Sequence, residues 1–357
     1  MRTNQPFVAA RIESSLNRRV ESVLRRLRWH DAIVAHTGYG SSQRLRVLGR
    51  VILLPPGKNN TALESAREQA WSERRGWRNF ITQPAVRRFV NITVAGKVIS
   101  ATTDRSGYID ITVSDHGLSP GWHHVTVETR DSGPASLPVL IVADDIRFGI
   151  ISDIDDTVIT TYLPRIFIAA YNSFVVTESA RIPVAGMARM YRDLLRDHPG
   201  SPLIYLSTGA WNTQPFLERF IGHHGFPPGP MLLTDWGPTN NGWFRSGPEH
   251  KIRSLHRLIL DFPHIRWLLV GDDGQLDPRL YAEFAAAHPD HVAGIAIREL
   301  NPVEQVLAHG TFTGRTSAIG PRRLKRTVPE TRGHDGSILA PHVKTMLRGA
   351  VADPNPA

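Results

Sequence analysis

The sequence predicts an α/β protein in which a parallel five-stranded sheet follows a small β-sandwich domain. From Phe148 onward, apolar runs of strand length alternate with segments of helical periodicity, the rhythm of strand–crossover–strand units. Ahead of it, residues 44–147 hold short alternating runs divided by turn signals, the rhythm of a sandwich. The length fits both: 357 residues suffice for two domains that each bury a core.

Residues 1–30 are read as a basic amphipathic helix. Val8, Ile12, Leu16, Val20, Val23, Leu24 and Leu27 recur at spacings of three and four, beside Arg18, Arg19, Arg25, Arg26 and Arg28. Such a helix can make peripheral contact with an anionic membrane, or pack on its own domain with a solvated basic face. The packed reading is preferred.

Residues 31–147 form the sandwich-like domain. Leu45, Val47, Val51 and Leu53 alternate with their neighbours, and further strands are expected within 90–98, 108–113 and 122–129. Turn signals at Gly96, 104–107, 119–121 and 131–134 separate them. A helical insert is expected over 62–80, with Trp71, Trp77 and Phe80 as core residues. No cluster of acid, base and nucleophile occurs here, which leaves scaffolding or recognition.

Residues 148–315 form the α/β domain. Strands are expected at 148–152, 202–207, 230–234, 265–271 and 292–298, and helices at 163–176, 186–197, 213–222, 248–262 and 278–288. The segment after the first strand carries Ile166, Phe167, Ile168, Tyr171 and Phe174, which suits an apolar lid or a buried core helix. Residues 316–357 read as a basic, poorly ordered tail, opened by Arg322, Arg323, Lys325 and Arg326 just after Arg315.

Composition narrows the chemistry. The absence of cysteine excludes disulfides, a cysteine nucleophile and thiolate metal sites. No apolar stretch reaches the roughly 18 residues of a membrane span, and the N-terminus lacks the apolar core of a signal peptide. A cytoplasmic protein, able to sit peripherally at a membrane, is expected. A net charge of +9 favours polyanions, whether nucleic acid, anionic lipid or phosphorylated substrate. Nucleic acid is not expected, because the basic and tryptophan residues at 71–78 come with no recognition motif. His123-His124 and His223-His224 lack partners at metal spacing, and Gly38-Tyr39-Gly40 lacks the rest of a dinucleotide fingerprint.

Chemistry concentrates at three strand ends and one helix start. The apolar run Phe148 to Ile151 releases Asp153, Asp155 and Asp156, then Thr157. Clustered carboxylates repel, and a divalent cation with oxygen ligands is the simplest compensation. Asp153 and Asp155, two apart in an extended segment, point the same way, so one can attack phosphorus while the other moves a proton. Next, Leu203 to Leu206 runs into Ser207, Thr208 and Gly209 ahead of a helix, an arrangement that binds anions. Lys251 opens a later helix, from which it can reach a phosphoryl oxygen and keep a carboxylate ionised. Finally, Trp267 to Gly271 delivers Asp272, Asp273 and Asp277; two separated acidic strand ends suit Mg²⁺ better than a continuous calcium loop.

The order of these parts resembles the haloacid dehalogenase-like (HAD-like) phosphatase superfamily, whose motifs DxDxT, Ser/Thr, Lys and GDxxxxD read here as Asp153-x-Asp155-x-Thr157, Ser207 or Thr208, Lys251 and Asp272-x4-Asp277. The wording around SDIDDTV, YLSTGAWN and GDDGQLD is also similar to the catalytic domain of the fungal actin-patch phosphatidate phosphatase and its bacterial relatives, in which a β-rich segment with a turn like Thr103-Asp104-Arg105-Ser106-Gly107-Tyr108 comes first. The resemblance implies a Rossmann-like sheet, Mg²⁺ as cofactor and a phosphorylated lipid such as phosphatidate as substrate. It implies Asp153 as nucleophile and metal ligand, and Asp155 as acid, then base, with its backbone carbonyl on the metal. Ser207 would hold the phosphoryl group, with Thr208 in reserve and Gly209 and Thr157 shaping the loop. Lys251 would neutralise charge, and Asp272 and Asp277 would complete the metal site. Two alternatives stay open: a phosphatase for a soluble phosphomonoester, and a non-catalytic cation-dependent binding module.

Overall fold

The computed structural model describes residues 19–58, 83–160, 181–234, 247–274, 276–301, 304 and 328–352. The chain divides into two compact units. The first comprises residues 1–144, 209–215 and 233–247, and the second residues 145–208, 216–232 and 248–357. The expected helical insert (62–80), the apolar segment 163–176, residues 8–18 of the basic helix and the arginine cluster at 315–326 lie outside the described residues.

The first unit is built on β1 (His30–Gly40), β2 (Arg44–Leu54), β3 (Gln83–Pro84), β4 (Phe89–Val94), β5 (Lys97–Thr102), β6 (Tyr108–Ser114), β7 (Gly121–Thr129) and β8 (Ala135–Ile141). These form one curled sheet in the order β3-β2-β1-β8-β7-β4-β5, with β6 also on β2. This corrects the expected two-sheet sandwich. β2 is 11 residues long, enough for its Arg44–Arg50 stretch to pair with β6 while Ile52 and Leu53 pair with β3. The halves stay joined through β1, which pairs with β2 along its length and, at Gly38–Gly40, with Val139–Ile141 of β8. The pairing is antiparallel apart from the parallel contact of β1 with β8.

The inward-facing residues of these strands, among them Leu45, Val47, Val51, Ile92, Ile109, Val127 and Val139, share one core. Alternation along each strand produces this, since every second side chain faces the same way. The β stretch expected within 90–98 is a hairpin, turned at Ala95 and at the expected turn residue Gly96, both with positive φ.

Residues 19–26 are helical, and Leu24 and Trp29 pack against the same core while Val23 and Leu27 stay exposed. The Arg25 guanidinium fixes this segment, donating to the buried Asp31 at 2.6 Å, with Arg88 on the other oxygen of Asp31 at 2.8 Å.

The second unit carries β9 (Phe148–Ser152), the two-residue strands β10 (Ile159–Thr160) and β11 (Ile182–Pro183), paired antiparallel, and α1 (Met187–Asp197). Then follow β12 (Leu203–Ala210), α2 (Gln214–His223), β13 (Met231–Thr234), α3 (Gly247–Asp261), β14 (Arg266–Asp272), α4 (Asp277–Ala287), β15 (Val292–Arg298), β16 (Glu330–Gly333) and α5 (Gly336–Ala352), of which only residues 209–210, 214–215, 233–234 and 247 fall in the first unit. The sheet order is β13-β12-β9-β14-β15-β16, with parallel pairing at β12–β9, β9–β14, β14–β15 and β15–β16. The sheet thus has six strands, not the expected five.

The sixth strand corrects a second expectation, since residues 330–352 belong to the unit and are not a poorly ordered tail. Leu339, Val343 and Leu347 recur every four residues along α5 and are buried. The start of α5 meets the start of α1 so closely that a Cβ on Gly336 would lie 2.3 Å from the Gly186 carbonyl carbon. No helix among the described residues is long and apolar enough to cross a membrane.

The topology decides where a ligand can bind. From β9 the chain adds β12 and β13 on one side, then returns to add β14, β15 and β16 on the other. The carboxyl ends of β9 and β14 therefore flank a topological switch point, where open α/β sheets hold their ligands.

Candidate active site

Four of the expected residues meet at that switch point. Asp153 follows β9, and its amide still donates to Val270 of β14 at 2.8 Å, so the two strand ends stay in register. Asp272 ends β14, and Asp277 opens α4. One carboxylate oxygen from each of Asp153, Asp272 and Asp277 lies within 4.8 Å of the others, and all three residues are buried. Lys251 projects from the buried face of α3, with Nζ 2.7 Å from Asp153 Oδ1 and 2.6 Å from Asp277 Oδ1.

The local sequence explains the placement. Ile154, Val158 and Ile159 are buried, and the amides of Thr157, Val158 and Ile159 all approach the Ile154 carbonyl. This tight turn is made possible by Asp156, which takes the left-handed conformation with φ 56°. Asp155 lies in this turn and is not one of the acidic trio, and its Oδ2 accepts from Ser207 Oγ at 3.0 Å. At the second acidic end, Gly271 lets Asp277 close in, since a Cβ there would sit 2.5 Å from Asp277 Oδ2. The Asp272 carboxylate is oriented by the Gly274 amide at 2.7 Å.

The electrostatics call for a cation. Burial pushes the Asp153 carboxyl well above its usual range; Lys251 opposes this, while Asp277 and Asp155 add to it. Burial raises Asp272 as well, helped by Asp153 and Asp277. Burial works against the charge on Lys251, yet Asp153 and Asp277 hold its pKa well above the ordinary lysine value. One ammonium cannot balance three buried carboxylates. Asp272 Oδ2 and Asp277 Oδ2 are buried with no hydrogen-bond partner, which is how oxygens waiting for a metal ion look. An all-oxygen donor set of a few carboxylates fits Mg²⁺.

The remaining expected residues are placed as follows. Asp155 is outside the acidic trio and beside Ser207. Thr157 is fully buried, and its Oγ1 has no hydrogen-bond partner. Ser207 is buried, Thr208 is half-buried, and Gly209 falls in the first unit, where its carbonyl accepts from Thr234 at 3.2 Å. Asp273, left without a role by the sequence, accepts the Leu300 amide at 2.8 Å and is structural.

Two neighbours escaped sequence reading. Ser152 Oγ donates to the Asp153 carbonyl at 2.7 Å and lies 2.6 Å from the Tyr191 hydroxyl, so a buried tyrosine on α1 braces the strand end. Burial raises the Tyr191 pKa, which keeps it a neutral donor. The other is Arg298, at the end of β15. A charged residue closing an apolar strand is the same signal that marked Asp153 and Asp272, and it could have found Arg298 too.

Residues 148–299 match the family model described as phosphatidate phosphatase APP1, catalytic domain. Over 203 residues the chain is 28% identical to phosphatidate phosphatase APP1 of Saccharomyces cerevisiae, covering 55% of this chain and 34% of that protein. Over 170 residues it is 26% identical to an uncharacterized protein of Schizosaccharomyces pombe, covering 46% of this chain and 27% of that one. The chain thus spans 34% and 27% of the lengths of these curated relatives. Among solved structures, an uncharacterized protein from Listeria monocytogenes serotype 4b aligns over 56% of this chain and 99% of its own, with a TM-score of 0.34 and 13% identity. The family match and the yeast relative support the phosphatidate phosphatase family for this part of the chain.

Proposed function

We propose that the chain is a Mg²⁺-dependent, HAD-like phosphatase that hydrolyses a phosphomonoester through an aspartyl-phosphate on Asp153, with phosphatidate as the substrate. The observation that carries the proposal is the convergence of Asp153, Asp272, Asp277 and Lys251 in one buried cluster at the switch point. The family match over residues 148–299 supports the choice of substrate. The excess of positive charge suits an anionic membrane surface, which the protein would meet from the cytoplasm.

Asp153, Asp272 and Asp277 would hold Mg²⁺, which when bound neutralises phosphoryl charge. An Asp153 carboxylate oxygen attacks phosphorus and the bond to the leaving oxygen breaks. The Asp155 carboxyl gives that oxygen its proton, releasing the alcohol, here diacylglycerol. The Asp155 carboxylate then takes a proton from water, whose oxygen attacks the same phosphorus, freeing phosphate and restoring Asp153. Ser207 steadies Asp155 for both transfers through its 3.0 Å hydrogen bond. Lys251 favours the ionised form of Asp153, which the bound cation would complete, and adjoins the charge that builds on the phosphoryl oxygens.

The test is phosphate release from micellar phosphatidate and from a panel of soluble phosphomonoesters, with and without Mg²⁺. The proposal expects Mg²⁺-dependent release that favours phosphatidate. Preference for a soluble ester would replace the substrate, and cation binding without any turnover would leave a binding module.

A further inference from the structure

Arg298 lies between the two acidic loops and bonds to both. Its carbonyl accepts the amide of Asp273, next to Asp272, at 2.9 Å. Its Nη1 donates to the carbonyl of Asp156, next to Asp155, at 2.8 Å. From the same guanidinium, Nη2 reaches Glu304 Oε1 at 2.7 Å and Nε reaches the His334 carbonyl at 3.1 Å. Arg298 and Glu304 are both buried. Glu304 is itself fixed: its second oxygen accepts the Asn301 amide, and its own amide donates to the Asn301 side chain, both at 2.9 Å.

We infer that Arg298 is a positioning residue, which sets the spacing between the loop of Asp153 and Asp155 and the loop of Asp272. The inference rests on the phosphatase reading. Asp156 is a non-glycine residue in the left-handed conformation, a backbone state that persists only when its surroundings hold it. The bond from Arg298 to its carbonyl is a charge-assisted hold on that turn. Strand pairing gives the other half, because Arg298 stands opposite Asp272 in the β14–β15 register. A planar guanidinium with five donors can bind three acceptors in fixed directions at once, as a lysine ammonium on a flexible stem cannot.

The bond to His334 has a further consequence. His334 joins β16 to α5, beyond the residues that the family model matches. The segment 328–352 therefore forms one side of the clamp on the first acidic loop and belongs to the catalytic unit.

Two variants test this. Arg298→Lys keeps a cation beside Glu304 but loses the three-way geometry. Arg298→Met combined with Glu304→Gln removes both buried charges together, so that neither is left unpaired. In each, thermal unfolding, amide hydrogen exchange of the 153–159 peptide and Mg²⁺-dependent phosphate release are measured. The expected result is a folded protein in which exchange of 153–159 speeds up at least tenfold, as roughly estimated for a released turn. In the same variants, kcat falls by about 100-fold while KM stays within about threefold, as misplacement of reacting groups produces. A folded variant whose 153–159 exchange matches wild type, or whose kcat stays within about threefold of it, overturns the inference. If wild-type protein releases no phosphate from any substrate, the phosphatase reading fails by itself, and exchange alone decides whether Arg298 clamps the loop.

Discussion

The Lys251 ammonium lies 2.7 Å from the Asp153 carboxylate and is shared with Asp277 at 2.6 Å, all three side chains being buried. Removing the cation from such a group leaves carboxylates without compensation. Lys251→Met is therefore expected to cost about 3–5 kcal/mol in unfolding free energy, read from denaturant titration without added cation. Turnover should fall with it. A cost below about 1 kcal/mol would mean that the acids are already balanced by something other than Lys251.

Stability should depend on pH and Mg²⁺ together. Asp153 and Asp272 are both raised, first by burial and then by neighbouring carboxylates. Without cation, the folded protein thus keeps protons that the unfolded chain releases. That contribution is complete below the ordinary carboxylate pKa and is lost as pH rises through the raised values. Mg²⁺ must displace those protons, so its stabilising effect grows with pH. Thermal midpoints measured with EDTA and with Mg²⁺ should diverge from mildly acidic to mildly alkaline pH. Asp272→Asn should abolish the divergence and leave the cation-free protein at least as stable as wild type. A Mg²⁺ effect that is constant with pH, or that survives in Asp272→Asn, contradicts the account.

Gly271→Ala should damage the metal site through packing alone. The new Cβ would lie 2.5 Å from Asp277 Oδ2 and 2.8 Å from Tyr281 Cε2. Relief means displacing Asp277, at a cost of about 1–3 kcal/mol and a rise of about 10- to 100-fold in the Mg²⁺ concentration needed for half-maximal activity. Gly222→Ala serves as control: it sits in α2 with nothing within 4 Å of its added carbon, and should be neutral or slightly stabilising. Equal responses from the two variants would refute this.

Much of the second unit was legible because its strands are buried and its charges stand at their ends. Phe148–Ser152 and Val292–Arg298 form strands within the limits that their apolar runs predict. Asp153, Lys251, Asp272 and Asp277 converge as their positions at strand and helix ends suggested. What stayed hidden has physical causes. β8 contains Pro138, which lowers strand propensity, yet pairs in register with His124. β1 is broken by a register shift between His36 and Tyr39. The polar run Glu330–Gly333 shows no strand pattern, because its pairing with β15 rests on backbone hydrogen bonds that any side chain permits. The partners of Arg298 lie 142, 36 and 6 residues away, and spacing along the chain says nothing of contacts that distant.

The central claim is that phosphate passes through Asp153. The most direct measurement is acid-quench trapping: protein with Mg²⁺ and phosphate-labelled phosphatidate is stopped during turnover and its peptides are mapped. The account predicts hydroxylamine-sensitive label on the peptide that carries Asp153, and neither label nor turnover in Asp153→Asn. Label on another residue, or sustained phosphate release by Asp153→Asn, would contradict it.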